Sequence, residues 1–156
     1  MKIKIITVGK RMPPWVTTAY DEYAKRLSHN FQISMHEINT PTRTKNADIS
    51  KLISKEADDI LALVESTDYV IALDEHGKQW HTMELAKKLE TWQQTHSTMV
   101  FLIGGPDGLA TACKHRAQAQ WSLSQLTLPH PLVRVVLIEQ LYRAHSILQG
   151  HPYHRE

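Results

Sequence analysis

Cysteine is nearly absent from this chain: Cys113 stands alone. No intramolecular disulfide can form, and a zinc site built from cysteine pairs is excluded. That usage fits a reducing, cytoplasmic setting. Long apolar runs are missing too. Met1-Lys2-Ile3-Lys4-Ile5-Ile6 gives out before Gly9-Lys10-Arg11 and reads as neither a signal peptide nor a membrane span. Charge of one sign is scarce: the formal net charge is +2 and the pI is near 8.7. That imbalance is too mild to mark a nucleic-acid binder by itself. Internal repeats, low-complexity tracts and Ser/Gly linkers are lacking. No Gly-Lys-Ser/Thr follows a glycine loop, no G-x-G-x-x-G occurs, and there is no G-x-S-x-G elbow.

What is present is a globular composition. The 156 residues, 42% of them apolar, suit one domain with a buried core, here residues 1–156. Ten histidines will raise the charge quickly below neutral pH. Ile3 to Val8 reads as a strand closed by Gly9. Pro13-Pro14 opens a helix to about Leu27 with Trp15, Ala19, Tyr23 and Leu27 on one face. Phe31 to Ile38 alternates as a strand. Thr40 to Asn46 is a polar loop carrying Arg43 and Lys45. Ile49, Leu52, Ile53, Ile60, Leu61 and Val64 make a helical stripe. Tyr69 to Leu73 is an apolar strand stopping at Asp74-Glu75-His76-Gly77. Thr82 can cap a helix carrying Leu85, Ala86, Leu89 and Trp92. Met99 to Ile103 is a buried strand broken by Gly104-Gly105-Pro106-Asp107-Gly108. A short helix surrounds Cys113, a strand lies near Trp121 to Leu123, and a last helix opens at Pro131 and ends at Gly150.

Strands alternating with helices, several of them apolar without alternation, predict a mainly parallel α/β sheet covered on both faces. Ligands in such sheets bind beyond the carboxyl ends of the strands. Leu73-Asp74, Ile103-Gly104-Gly105 and the Leu123 to Leu128 segment are those ends, and they form a candidate pocket. The glycines allow a tight turn and close backbone approach. The hydroxyl- and proline-rich segment offers main-chain groups to the edge of a flat heterocycle such as adenine. Either could equally be an ordinary connection. His151-x-x-His154, and His76 with His81, lack a third ligand at fixed spacing, so no metal is expected. Cys113 reads as a small buried hydrophobe rather than a nucleophile. The basic groups at Lys10-Arg11, Lys25-Arg26, Arg43-Thr44-Lys45 and Lys114-His115-Arg116 read as solvated faces unless several line one rim. The tail His151-Pro152-Tyr153-His154-Arg155-Glu156 is unusual: it concentrates groups that orient anions, stack on bases or move protons.

Leu102 to Gly108, Trp121 to Ser124, Leu126 to Arg134 and His151 to Glu156, with Val8-Gly9-Lys10 and Lys45 to Ile49, resemble the RlmH family across essentially the whole chain. The resemblance implies a SPOUT-type α/β fold whose last third forms a trefoil knot and an S-adenosylmethionine (SAM) pocket. It implies a homodimer that methylates N3 of a pseudouridine in 23S ribosomal RNA on the assembled ribosome. The implied cofactor contacts are Leu73, Gly104, Gly105 and the loop Leu123, Ser124, Gln125, Leu126, Thr127, Leu128. For chemistry, Arg155 or Arg134 is suited to steady a uracil anion, and His154, His130 or Glu139 to take the N3 proton. Tyr153 is suited to stack on the base. The tail is expected to project from its own body and complete the partner's pocket. The alternatives are a ribosome-associated binding protein without catalysis, and a metal-dependent hydrolase built on the histidines.

Overall fold

The computed structural model describes residues 1–155. Strands and helices alternate: β1 (Lys2–Val8), α1 (Pro14–Leu27), β2 (Gln32–Ile38), α2 (Ile49–Leu61), β3 (Tyr69–Gln79), α3 (Thr82–Thr95), β4 (Thr98–Ile103), α4 (Thr111–Arg116), β5 (Ala119–Ser122) and α5 (His130–Leu148). The strands form one sheet in the order β2-β1-β4-β3-β5, and every neighbouring pair is parallel. Successive side chains on a strand point to opposite faces, and here both faces are covered. Ile3, Ile5, Ile71, Met99 and Phe101 pack with Leu27, Leu85, Leu89 and Leu137 of α1, α3 and α5. Ile6, Val8, Val70, Ala72, Val100 and Leu102 pack with Ala57, Ile60 and Cys113 of α2 and α4. This is why the central strands read as unbroken apolar runs.

Three expectations need correction. The buried face of α1 is Val16, Tyr20 and Leu27, while Trp15 is 56% exposed. The first turns are rotated by one residue from the expected phase, with Val16 and Tyr20 facing inward in place of Trp15 and Ala19. His81, not Thr82, is the cap of α3, and the Thr82 hydroxyl instead donates to Gln140 Oε1 at 2.9 Å. Finally, β3 does not stop at Leu73. It resumes after a slip, so that Leu73 and Lys78 both stand opposite Trp121 of β5. The intervening Asp74–Gly77 bows out. Gly77 is required there, since a Cβ would fall 2.6 Å from the Gln120 carbonyl carbon.

His145 lies on the sheet-facing side of α5, buried, edge-on to Phe31 at 5.0 Å between rings. Burial lowers its pKa below the ordinary value. The unfolded chain therefore takes up the proton at higher pH than the folded chain. The stability this group contributes is complete above about pH 6.5 and is lost as pH falls through the lowered value. Urea melts across pH 4.5–7.5 should show the acid limb flattened in His145→Phe. A limb as steep as wild type would mean that His145 does not carry this linkage.

Candidate active site

The three strand ends named above do converge. They wall a cleft of about 970 Å³ lined by Leu73 to His76, by Ile103 to Leu109, by Trp121 to Ser124, and by Leu126 to Pro131. The first wall is the bulge in β3. Its Asp74 carboxylate meets Lys114 Nζ at 3.0 Å and its Oδ1 accepts the His76 backbone N–H at 3.2 Å. Burial works against the Asp74 charge, yet Lys114 and the His76 N–H outweigh it and hold the carboxyl below its usual pKa. Lys114 is thus a cleft residue rather than a solvated one. Its neighbour Arg116 is a structural tie, donating to the Glu65 and Asp68 carbonyls at 2.8 and 3.1 Å. The only sequence signal for Lys114 was its helix following a strand end.

The second wall is the glycine turn, closed by the Gly108 N–H donating to Gly105 O at 3.0 Å. A Cβ on Gly104 would lie 2.6 Å from the Gly108 carbonyl carbon, and one on Gly105 would lie 2.8 Å from Val8 Cγ1. These glycines therefore let the turn fold on itself and on β1. Cys113 lies behind this wall, buried, its thiol pushed up to about 11 by desolvation, as suits a packing residue.

The third wall is the loop after β5. Ser122 Oγ donates to Ser124 O at 2.9 Å, and the Leu126 N–H donates to Ser124 Oγ at 2.9 Å. This tight local turn leaves Gln125 exposed and outside the cleft lining, whereas Leu123, Ser124, Leu126, Thr127 and Leu128 line it. Leu126 is 74% exposed at the rim. The Thr127 hydroxyl donates to Glu75 Oε2 at 3.1 Å, joining this wall to the bulge.

Of the six residues expected to act on substrate, only His130 lines this cleft. Burial, then the nearby Arg134 charge, lowers its pKa, which favours the neutral imidazole. Arg134 is buried one turn deeper, donating to Glu37 Oε2 and to Gly9 O, each at 2.8 Å. It is a structural anchor. Glu139, Tyr153 and His154 gather farther along α5. Arg143 grips Glu139 Oε1 at 2.6 and 2.9 Å, Tyr153 Oη donates to the same oxygen at 2.9 Å, and Arg143 Nη1 lies 3.3 Å from His154 Nδ1. Burial, then hydrogen bonds with Tyr23 and Glu139, raise the Tyr153 pKa, so its hydroxyl stays protonated. Arg155 is exposed, and Glu156 lies outside the described residues.

The tail therefore does not project from its own body. The His151 N–H donates to Ser146 O at 2.9 Å and the Gly150 N–H to Ile147 O at 3.1 Å, with Gly150 at φ +65°. That paired closure reverses the chain at a helix end. Tyr153 then lies against Tyr142, 4.7 Å between ring centres. Among the described residues no three His, Cys, Asp or Glu converge as a metal site, and no helix is long and apolar enough to cross a membrane.

A protein-family model described as "Predicted SPOUT methyltransferase" matches residues 1–154. The chain belongs to the SPOUT methyltransferase family. Its parallel sheet with helices on both sides agrees with that fold. It is also similar to two proteins named ribosomal RNA large subunit methyltransferase H. With that of Hahella chejuensis (strain KCTC 2396) it shares 53% identity over 156 residues, all of both chains. With that of Marinomonas sp. (strain MWYL1) it shares 50% over 155 residues, 99% of this chain and all of the relative.

The close packing of Gly104 on Gly108 makes that position a sensitive one. Gly104→Val should lose SAM binding in a calorimetric titration because the turn must open, while circular dichroism stays near wild type. Retained affinity in the folded variant would remove this turn from the site.

Proposed function

We propose that this chain is a SAM-dependent methyltransferase that methylates N3 of a pseudouridine in 23S ribosomal RNA, acting in the cytoplasm as a homodimer on the assembled ribosome. The observation that carries the reading is the cleft where the glycine turn and the loop after β5 both form walls. It stands beside full-length likeness to two named ribosomal RNA methyltransferases. The lining fits SAM in kind. Leu73, Ile103, Leu109, Leu123 and Leu128 give apolar surface for a flat ring, the two loops give main-chain groups, and Asp74 and Glu75 give acids for hydroxyls and cationic groups. When bound there, SAM supplies a methyl carried on a sulfonium for in-line displacement.

The protein's own part is to position and to move one proton. Leu73, Gly104, Gly105 and the loop from Leu123 to Leu128 hold the donor. His130 is the base we assign to the N3 imide proton, since it is neutral and faces the cleft. The remaining polar groups come from a partner. Leu132, Val135 and Val136 leave α5 half-exposed and apolar beyond its sheet-facing side, as expected of a helix that packs on both sides. With α5 at a two-fold interface, Tyr153, His154 and Arg155 of one subunit complete the cleft of the other, with Arg155 facing the developing anion. The knotted threading of the last third belongs to the same reading.

A net charge of +2 gives little grip on naked RNA. Methyl transfer from labelled SAM should therefore be strong on assembled ribosomes and weak on a free stem-loop. Equal rates would remove ribosome shape from recognition, and a protein that binds ribosomes but no SAM would be a binding module.

Deleting residues 151–156 should leave dimerisation and SAM binding mostly intact while transfer collapses. Mixing the deleted chain with a Gly104→Val chain should restore part of the activity, because one composite site per mixed dimer is whole. Mixed dimers that stay inactive would place the tail in service of its own subunit.

A further inference from the structure

Behind the glycine turn lies a buried charge that the cleft itself does not use. Glu56, on α2, is 2% exposed. Its Oε1 accepts Arg43 Nη2 at 2.7 Å and the Thr40 hydroxyl at 3.3 Å. The same guanidinium turns its Nε to Asp107 Oδ2 at 2.8 Å, and its Nη1 to Pro41 O at 3.1 Å and to the Thr40 hydroxyl. Asp107 lines the cleft, whereas Arg43 and Glu56 do not. A Cβ on Gly105 would stand 4.0 Å from Glu56 Oε2, so the carboxylate sits directly behind the turn. A planar guanidinium can span two carboxylates with separate nitrogens, which a single ammonium cannot do in the same geometry. The polar loop from Thr40 to Asn46 thus places a strap across the ends of β2 and β4.

We infer that Arg43 is a positioning residue for the cofactor cleft: by bridging buried Glu56 to Asp107 it fixes the Gly104–Gly108 turn. This rests on the cleft being the SAM site. Within the turn the Gly108 N–H donates to Gly105 O, and the two glycines pair as an isolated antiparallel bridge. Arg43 adds to these a restraint from outside, through Asp107.

The test uses full-length protein with Arg43→Lys, Asp107→Ala and the double variant. SAM affinity is read by calorimetry, and KM for SAM, KM for ribosomes and kcat by labelled transfer. Arg43→Lys should weaken SAM binding and raise KM for SAM about tenfold, the effect of about 1.4 kcal/mol typical of coupling within one hydrogen-bonded network. KM for ribosomes and kcat at saturating SAM should stay near wild type. A merely structural role would lower the melting temperature and leave this split unmoved. The double variant should be no weaker than the worse single variant, because both break one strap. Additive losses would mean that Asp107 acts on SAM directly and would overturn the inference, as would wild-type affinity in Arg43→Lys. Should Arg43→Lys fold poorly, Asp107→Ala keeps the test open: it leaves the Arg43–Glu56 pair intact, and wild-type affinity in it overturns the strap. A wild-type protein that binds no SAM sinks the cofactor reading and this one together. Wild-type binding with unaffected variants sinks this one alone.

Discussion

The arrangement of this molecule turns on the buried Arg134 guanidinium. It is 2% exposed, its Nε has no hydrogen-bond partner among the described residues, and its two outer nitrogens reach Glu37 and the Gly9 carbonyl. Removing the guanidinium from water is expensive while Glu37 stays exposed, so the pair is weak ground for stability and better ground for geometry. Here the geometry is specific. One side chain, a single turn into α5, touches the ends of both β1 and β2. It fixes where Pro129, His130 and Pro131 stand against the sheet, and so fixes the third wall of the cleft and the His130 imidazole in it. The same charge, after burial, keeps His130 neutral. Anchor and tuning come from one residue.

Where Arg134 fixes one side, the slip between β3 and β5 opens the middle. Leu73 and Lys78 share Trp121, so four residues leave the ladder just where a parallel sheet presents its carboxyl ends. Had β3 ended at Leu73, Asp74 and Glu75 would have left as an ordinary loop. Pinned at both ends, they become a wall, joined to Lys114 of α4 and Thr127 of the loop after β5. Irregular backbone here is held by regular backbone on both sides, which lets a loop carry chemistry without losing position.

Much of this was legible in the sequence because burial on both faces writes itself as composition. Tyr69 to Leu73 and Met99 to Ile103 are apolar without alternation, and their ends gave the cleft before any coordinates. What was hidden depends on contacts between distant parts. Asp74 to Gly77 read as a stop because its residues are polar and turn-like, and only the backbone of Gln120 explains Gly77. Gly150 was legible as a helix end, yet the direction the chain takes afterward follows from which carbonyls its amides find. Arg134, Glu139 and Arg155 looked alike as catalytic groups. Burial and partners make the first an anchor and the second the centre of a cluster, and neither property is written in residue type. Arg43 looked like surface charge for the same reason: its partners lie 13 and 64 positions away.

The tail shows how an observation that corrects an expectation can still support its purpose. A tail projecting freely would be ordered only on assembly, and the ordering of its side chains would weigh against the composite site. Instead Arg143, stacked 4.7 Å from the Tyr153 ring centre and bonded to Glu139, holds Tyr153 and His154 against α5 already. Glu139 lies nine residues past His130, roughly 13 Å along the helix axis, and the tail docked on it is not among the residues that line the cleft. In the proposed dimer, docking on α5 and acting at a cleft are compatible across an interface that contains α5. The apolar, half-exposed residues at the start of that helix are the surface on which such an interface would form. A tail held in place by its own helix, beside an apolar face, suits the proposed composite site better than a loose terminus would.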